Sequence, residues 1–258
     1  MKQKKETGMN SKIVSMNVDL TDLVSTVNDT CTLAESKTSS YICVSNVHMC
    51  MEVFDDPYFA SVVNSADLVI PDGRPLSWAQ KLLGHKDAQQ VRGQDIMNEL
   101  CRISGEKSLN IGLYGGSSND LLETVVVKLK TDYPDISITY TFSPPFRQLT
   151  DDEDAQVVND INNANVNILF VGIGCPKQER WMAEHKGKVN CVMLGVGAAY
   201  DFIAGSKKHA PRWMQKIGLE WFYRLCTEPK RLWKRYLKHN PRFVYYFMQQ
   251  WLFGKKFN

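Results

Sequence analysis

The 258-residue chain has no apolar run long enough to span a bilayer. Its opening stretch, MKQKKETGMNSKIVSM, holds none of the apolar segment of a secretion signal. No Cys-x-x-Cys pair occurs, and the seven cysteines (Cys31, Cys43, Cys50, Cys101, Cys175, Cys191, Cys226) show no metal-type spacing with histidine. Their scatter, with Cys43 and Cys191 inside apolar runs, reads as reduced, buried thiols of a cytosolic protein. A Walker-type lysine loop is missing, which speaks against an ATPase. Internal repeats and low-complexity linkers are missing too.

Acid is what the last fifth lacks. From Lys207 to Asn258 there are thirteen Lys/Arg against two acids, Glu220 and Glu228, a net +11. The rest of the chain carries a net −8, so the overall +3 conceals a basic tail on a mildly acidic body. Such a tail meets something anionic or forms a solvated basic face. Over Pro229 to His239, Leu232, Trp233, Tyr236 and Leu237 share one helical face among five cations, the pattern of a helix lying at a membrane surface. The next stretch, FVYYFMQQWLF, is rich in the aromatics that favour the headgroup region, although such aromatics also pack onto a protein body or a subunit interface. No nucleic-acid reader motif accompanies the charge.

Ahead of the tail, short β-rich runs alternate with helical patterns. Strands are predicted at 41–45, 67–70, 109–115, 136–141, 167–174 and 190–197. Helices are predicted at 51–64, 75–83, 93–104, 117–132, 151–164, 176–187 and 210–238, the last broken by Pro229. Several strands are near-continuous apolar runs, as in a parallel sheet covered on both faces. The fold class is therefore α/β, Rossmann-like, with a mostly parallel sheet between helices. We expect a catalytic body over 11–205 and a basic, aromatic-rich appendage over 206–258.

Ligands of such sheets gather at the carboxyl ends of the strands. Four segments put an acid or glycines there: Asp72 after DLVI, Gly115 and Gly116, Gly172 and Gly174, and Gly197. Glycine lets backbone approach a ligand closely. In VGIGCPKQE a strand gives way to a helix near Pro176, and Lys177 adds charge where free N–H groups attract an anion. This is a seat for a phosphate or diphosphate. The third glycine of the dinucleotide fingerprint is absent, which weakens the case for a nicotinamide oxidoreductase. A nucleotide sugar remains as a candidate ligand.

PDG at 71–73, RGQD at 92–95, YGG at 114–116, SPPFR at 143–147, GCPKQE at 174–179, GVGAAYDFIAG at 195–205, AP at 210–211 and GLEWFYRL at 218–225 together resemble the WecG/TagA/CpsF family, glycosyltransferases of family 26 that build bacterial surface polymers. The resemblance runs over about 40 to 240. It implies inverting transfer of a hexose, N-acetylmannosamine or a related sugar, from a UDP-sugar to a sugar–diphosphate–polyprenol lipid. It implies no cofactor and no obligatory metal. It places the protein peripherally on the cytoplasmic face of the plasma membrane, against anionic lipid, with self-association of the exposed tail open.

Under the resemblance Asp72 is the general base, with Gln178 and Asn46 beside it as catalytic residues. Ser45, Gly115, Gly116, Gly172, Gly174, Pro176, Lys177, Gly197, Tyr200 and Asp201 would bind the donor. Arg92, Arg224, Arg231, Lys234 and Arg235 would bind the acceptor. Each has a plainer reading: Asp72 as cap of the helix expected at Pro75, Gln178 as an exposed first-turn residue, Asp201 as another N-cap, Arg92 as a surface ion pair. Tyr114 and Phe170 read as core. SNVHMC at 45–50 departs from the TPNPE common in the teichoic acid branch, which bears on the donor sugar. A non-catalytic membrane- or polysaccharide-binding protein is the other alternative.

Overall fold

A computed structural model describes residues 9–257. The chain opens with a hairpin, β1 (Asn10–Ile13) and β2 (Met16–Asp19), then α1 (Leu23–Glu35). There follow β3 (Ser40–Ser45), α2 (Val47–Asp55), α3 (Pro57–Asn64), β4 (Leu68–Pro71), α4 (Arg74–Leu82) and α5 (Gly93–Ser104). Next come β5 (Asn110–Gly115), α6 (Asn119–Asp132), β6 (Ser137–Phe142), α7 (Asp151–Asn163), β7 (Ile168–Gly172), α8 (Lys177–His185) and β8 (Val192–Gly195). The remainder is helical: α9 (Ala199–Ile203), α10 (Arg212–Lys216), α11 (Glu220–Thr227) and α12 (Pro229–Phe253).

Strands β3 to β8 form one parallel sheet in the order β4-β3-β8-β7-β5-β6. The central strands are buried along their length, which is why their sequences are apolar without alternation. Edge strand β6 alternates exposed and half-buried residues. At the other edge, the Val69 N–H donates to Asp19 Oδ2 (2.7 Å), so a side chain occupies a backbone group of edge strand β4. One core lies against α2, α3, α4, α7, α8 and α12, and the second against α1, α5, α6 and α9.

This layering opens a crevice. The helices after neighbours β3 and β8 go to opposite faces, and so do those after β7 and β5. The loops at those strand ends part, leaving space at the carboxyl edge. Two glycines fit that edge for a steric reason. Gly115 sits at φ 133° opposite Gly172, and a Cβ on it would come 2.6 Å from the Gly172 carbonyl. A Cβ on Gly172 would meet the Tyr200 ring, also at 2.6 Å. Gly115→Ala is therefore expected to cost about 3 kcal/mol or more, read as a Tm lowered by about 10 °C in thermal denaturation.

The helix expected over 51–64 is two helices. Asp56 ends α2 and caps α3 by accepting from the Tyr58 N–H (2.9 Å), with Pro57 in the first turn. The helical pattern over 210–238 is three helices. Gly218, at φ 75°, separates the first two, and Pro229 starts the third. Helix α12 passes through Pro241 and ends at a left-handed Gly254. It is not a loose tail. Phe243 and Phe247 are buried in the core, Gln250 accepts from the Val14 N–H (2.8 Å) and donates to the Lys12 carbonyl, and Trp251 donates to the Leu82 carbonyl. No helix among the described residues is long and apolar enough to cross a membrane.

Candidate active site

Two cavities meet at the carboxyl edge of the sheet. The larger, about 1050 Å³, is lined by loops after all the central strands, including Gly116, Gly172, Gly174, Lys177, Gln178, Gly197 and Asp201. The smaller, about 410 Å³, is a groove between α4 and α12 walled by Trp78, Leu82, Trp221, Tyr236, Phe243, Val244, Phe247 and Met248. Five residues belong to both walls: Asn46, Asp72, Glu220, Arg224 and Arg235. A polar chamber and an apolar groove thus share a charged partition.

Asp72 stands in that partition because its turn is pinned. The N–H groups of Asp72 and Gly73 both donate to the Ser45 carbonyl (2.9 and 3.2 Å), and Gln90 donates to the Asp72 carbonyl. The side chain does not cap α4: Gly73 is the N-cap there, with no side-chain bond. Asp72 Oδ1 instead accepts from the Gly93 N–H at the start of α5 (3.1 Å). Burial, and secondarily the Glu220 charge, push its carboxyl up to about 6. The Gly93 N–H, Arg92 and Arg224 oppose that rise. A base poised near neutrality suits proton transfer from a hydroxyl.

On the chamber side, Gln178 is buried rather than exposed in its first turn. Its Oε1 accepts from the Gly174 N–H (3.2 Å) and its Nε2 donates to Glu179 Oε1 (2.7 Å). One N–H and one lone pair of the amide stay uncommitted by those two bonds. Glu179 is fully buried, and burial raises its carboxyl to about 7. Asn46 caps α2 by accepting from the His48 and Met49 N–H groups (3.0 and 3.2 Å).

The arginines divide by role. Arg92 donates to Gln215 Oε1 (2.8 Å) and pairs with Glu220, while Arg74 donates to the Gln215 carbonyl (3.0 Å). Together they fasten α10 and α11 to the body. Arg224 and Arg235 face the partition, and the Nε of each is buried with no hydrogen-bond partner among the described residues. Two guanidinium groups there make an anion seat. Arg231 reaches the chamber wall, paired with Glu228 (2.6 Å), and Lys234 lies exposed over Trp233.

Of the remaining expected donor contacts, Tyr200 and Asp201 line the chamber, and Ser45, Gly115 and Pro176 do not. The Ser45 hydroxyl is buried and donates to the Ile70 carbonyl (2.7 Å). Tyr200 has its hydroxyl spent on the Phe170 carbonyl (2.7 Å), with its ring under Gly172. Asp201 lines the chamber and pairs with Lys207 (2.6 Å). Pro176 is the N-cap residue of α8 and lines neither cavity, nor does Gly115. Tyr114 and Phe170 are core. Sequence reasoning passed over Glu179 and Glu220, although both sit inside quoted motifs. Glu220 carried a signal, being one of two acids in a basic tail.

The sequence matches the Glycosyl transferase WecG/TagA/CpsF family over residues 11–257. A Bacillus subtilis (strain 168) protein named N-acetylglucosaminyldiphosphoundecaprenol N-acetyl-beta-D-mannosaminyltransferase is 30% identical over 79% of this chain and 77% of its own length. Proteins of the same name from Bacillus spizizenii (29% identical, covering 88% of this chain and 84% of theirs) and Staphylococcus aureus strain NCTC 8325 (28%, covering 90% of each) match as well. Neither a nicotinamide oxidoreductase nor a non-catalytic binding protein accords with these relatives. With a match running almost end to end, and the motifs gathered around one charged partition, this chain belongs to the WecG/TagA/CpsF family of glycosyltransferases.

Proposed function

We propose that the protein transfers a hexose, N-acetylmannosamine or a close relative, from a UDP-sugar to a sugar–diphosphate–polyprenol lipid, with inversion. The observation that carries this is the shared wall. A nucleotide sugar suits the polar, glycine-edged chamber, a polyprenyl chain suits the apolar groove, and Asp72 stands where the two would meet. Asp72 takes the proton of the acceptor hydroxyl as its oxygen attacks the anomeric carbon. The bond from that carbon to the diphosphate breaks, and UDP leaves with the electron pair. Arg224 and Arg235 hold the acceptor diphosphate. Backbone N–H groups around Gly174 and α8, with Lys177, hold the donor diphosphate. Gln178 shapes that loop and offers its remaining N–H. Arg92 acts through Glu220 and Gln215, keeping the tail helices over the chamber.

The appendage is proposed to dock on the cytoplasmic leaflet. Lys230, Lys234 and Lys238 lie exposed on α12, and Trp213, Phe222, Trp233 and Leu237 are exposed apolar side chains of the same helical region. The distal half of α12 packs one face, Phe243 and Phe247, into the body and leaves Val244, Tyr245, Leu252 and Phe253 exposed on the other.

The test uses the purified full chain, an N-acetylglucosaminyl-diphospho-lipid acceptor in vesicles containing anionic lipid, and a panel of UDP-sugars. Acceptor-dependent UDP release is expected with UDP-N-acetylmannosamine or one related donor. Silence across the panel, in vesicles and in detergent alike, would refute the transfer.

A further inference from the structure

Three side chains outside the partition converge where α12 crosses α2. His48 and Glu52 lie one turn apart on α2, and His239 comes from α12. His48 Nε2 is 3.6 Å and His239 Nε2 3.5 Å from the same oxygen, Glu52 Oε1. These separations are too long for good hydrogen bonds. They are close to the edge of a tetrahedron around zinc, about 3.3–3.4 Å for metal–ligand bonds of 2.0–2.1 Å. The two rings meet edge to face with centroids 4.9 Å apart. His239 is 4% exposed, and the Nδ1 of both rings is buried with no hydrogen-bond partner among the described residues.

We infer that His48, Glu52 and His239 form a divalent transition-metal site, of zinc type, that clamps α12 to α2. Imidazole nitrogens with one carboxylate suit zinc rather than magnesium or calcium. Burial, reinforced by Arg235, His239 and Lys238, holds the His48 imidazole down at about 3. Burial, reinforced by Lys238 and Arg242, holds that of His239 down at about 4. The same cations oppose a metal ion, an effect Asp55 reduces by pairing with Arg242 and lying 3.8 Å from Lys238. Binding accordingly rests on the ligand bonds and the Glu52 charge.

The clamp has a consequence for the neighbouring wall. His48 lines the apolar groove, Asn46 begins the same helix two residues earlier, and Arg235 is one turn before His239. Fixing the helix crossing fixes two members of the partition. The metal is a positioning device here and takes no part in the transfer, so the inference stands or falls apart from the proposed reaction.

The experiment is metal analysis of the full chain after chelator treatment, zinc addition and gel filtration. One zinc per chain is expected, with a Tm raised by about 5 °C in zinc but not in magnesium. Cobalt(II) in its place is expected to give the visible bands of a four-coordinate ion. Glu52→Gln and His239→Ala are expected to lose the zinc and the Tm shift. Because His239→Ala risks misfolding, chelator competition on the unaltered protein supplies an independent reading. Retention of no zinc by the unaltered protein overturns the inference. So does equal retention by Glu52→Gln, which would locate the metal elsewhere.

Discussion

Replacing Asp72 by asparagine is expected to lower turnover by about 10²–10⁴-fold while leaving the protein folded, because a positioned base contributes on that scale. The exchange is nearly isosteric, and the asparagine Oδ1 still accepts from the Gly93 N–H that Asp72 uses. Stability moves in the opposite direction to activity. The carboxyl is pushed from 3.8 to about 6, so the folded chain binds this proton more tightly than the unfolded chain. Stability from that proton is full below about pH 4 and is lost as pH rises towards 6. At neutral pH the ionised group therefore costs the fold about 3 kcal/mol at most, and Asp72→Asn is expected to raise Tm. The pH profile of kcat/KM reads this carboxylate directly: an acidic limb near pH 6 belongs to Asp72 and disappears in the variant. Near-normal turnover in Asp72→Asn would remove it from the mechanism.

Arg235→Gln is expected to lower kcat/KM for the acceptor lipid by about 10–100-fold, the range for losing charge-assisted hydrogen bonds to a diphosphate. Its guanidinium is held below its usual range, chiefly by burial, and its Nε has no hydrogen-bond partner among the described residues. Such a group is costly to the fold, and under the proposed function an anion arriving with substrate offsets that cost. The expected signature is a raised KM for acceptor, an unchanged KM for the UDP-sugar and a Tm that does not fall. Arg235→Lys keeps the charge without the planar fork, so an intermediate loss is expected. Titration with inorganic diphosphate, followed by its protection against heat, gives a readout free of turnover. Unaltered acceptor kinetics in Arg235→Gln would assign the anion seat to Arg224 alone.

The sheet was readable because its central strands are buried on both faces and so carry unbroken apolar runs. The amino-terminal hairpin was not. Its turn has no Asn-Gly or Gly, and Val14 stands there at φ 56°, a conformation costly for a β-branched residue. What holds it comes from elsewhere: Gln250 bonds Lys12 and Val14 on the leading side from 238 and 236 residues away, and Asn64 bonds Ser15 and Asn17 on the trailing side. Helix α1 was missed because Ser, Thr, Asn and Asp dilute its apolar periodicity. At the site, the rim of glycines and Asp72 was legible as strand-end punctuation. The commitments of its polar groups were not. Asp72 takes the Gly93 N–H 21 residues on, and Arg92 takes Glu220 128 residues on. His48 and Glu52 show helical spacing, but only the crossing of α12 over α2 brings His239 to them.

The hydrogen bonds between the amino-terminal turn and Gln250 have a meaning for biosynthesis. The hairpin's turn leaves the ribosome well before its partner, which lies 236 residues later. At about 5–20 residues per second that interval is roughly 10–50 s. Phe243, Val244, Phe247 and Met248, which wall the apolar groove, emerge in the same final stretch. A nascent chain can therefore complete most of its sheet before the apolar groove exists. The groove comes into being only as α12 docks, so a chain cut short before that helix lacks one of its walls.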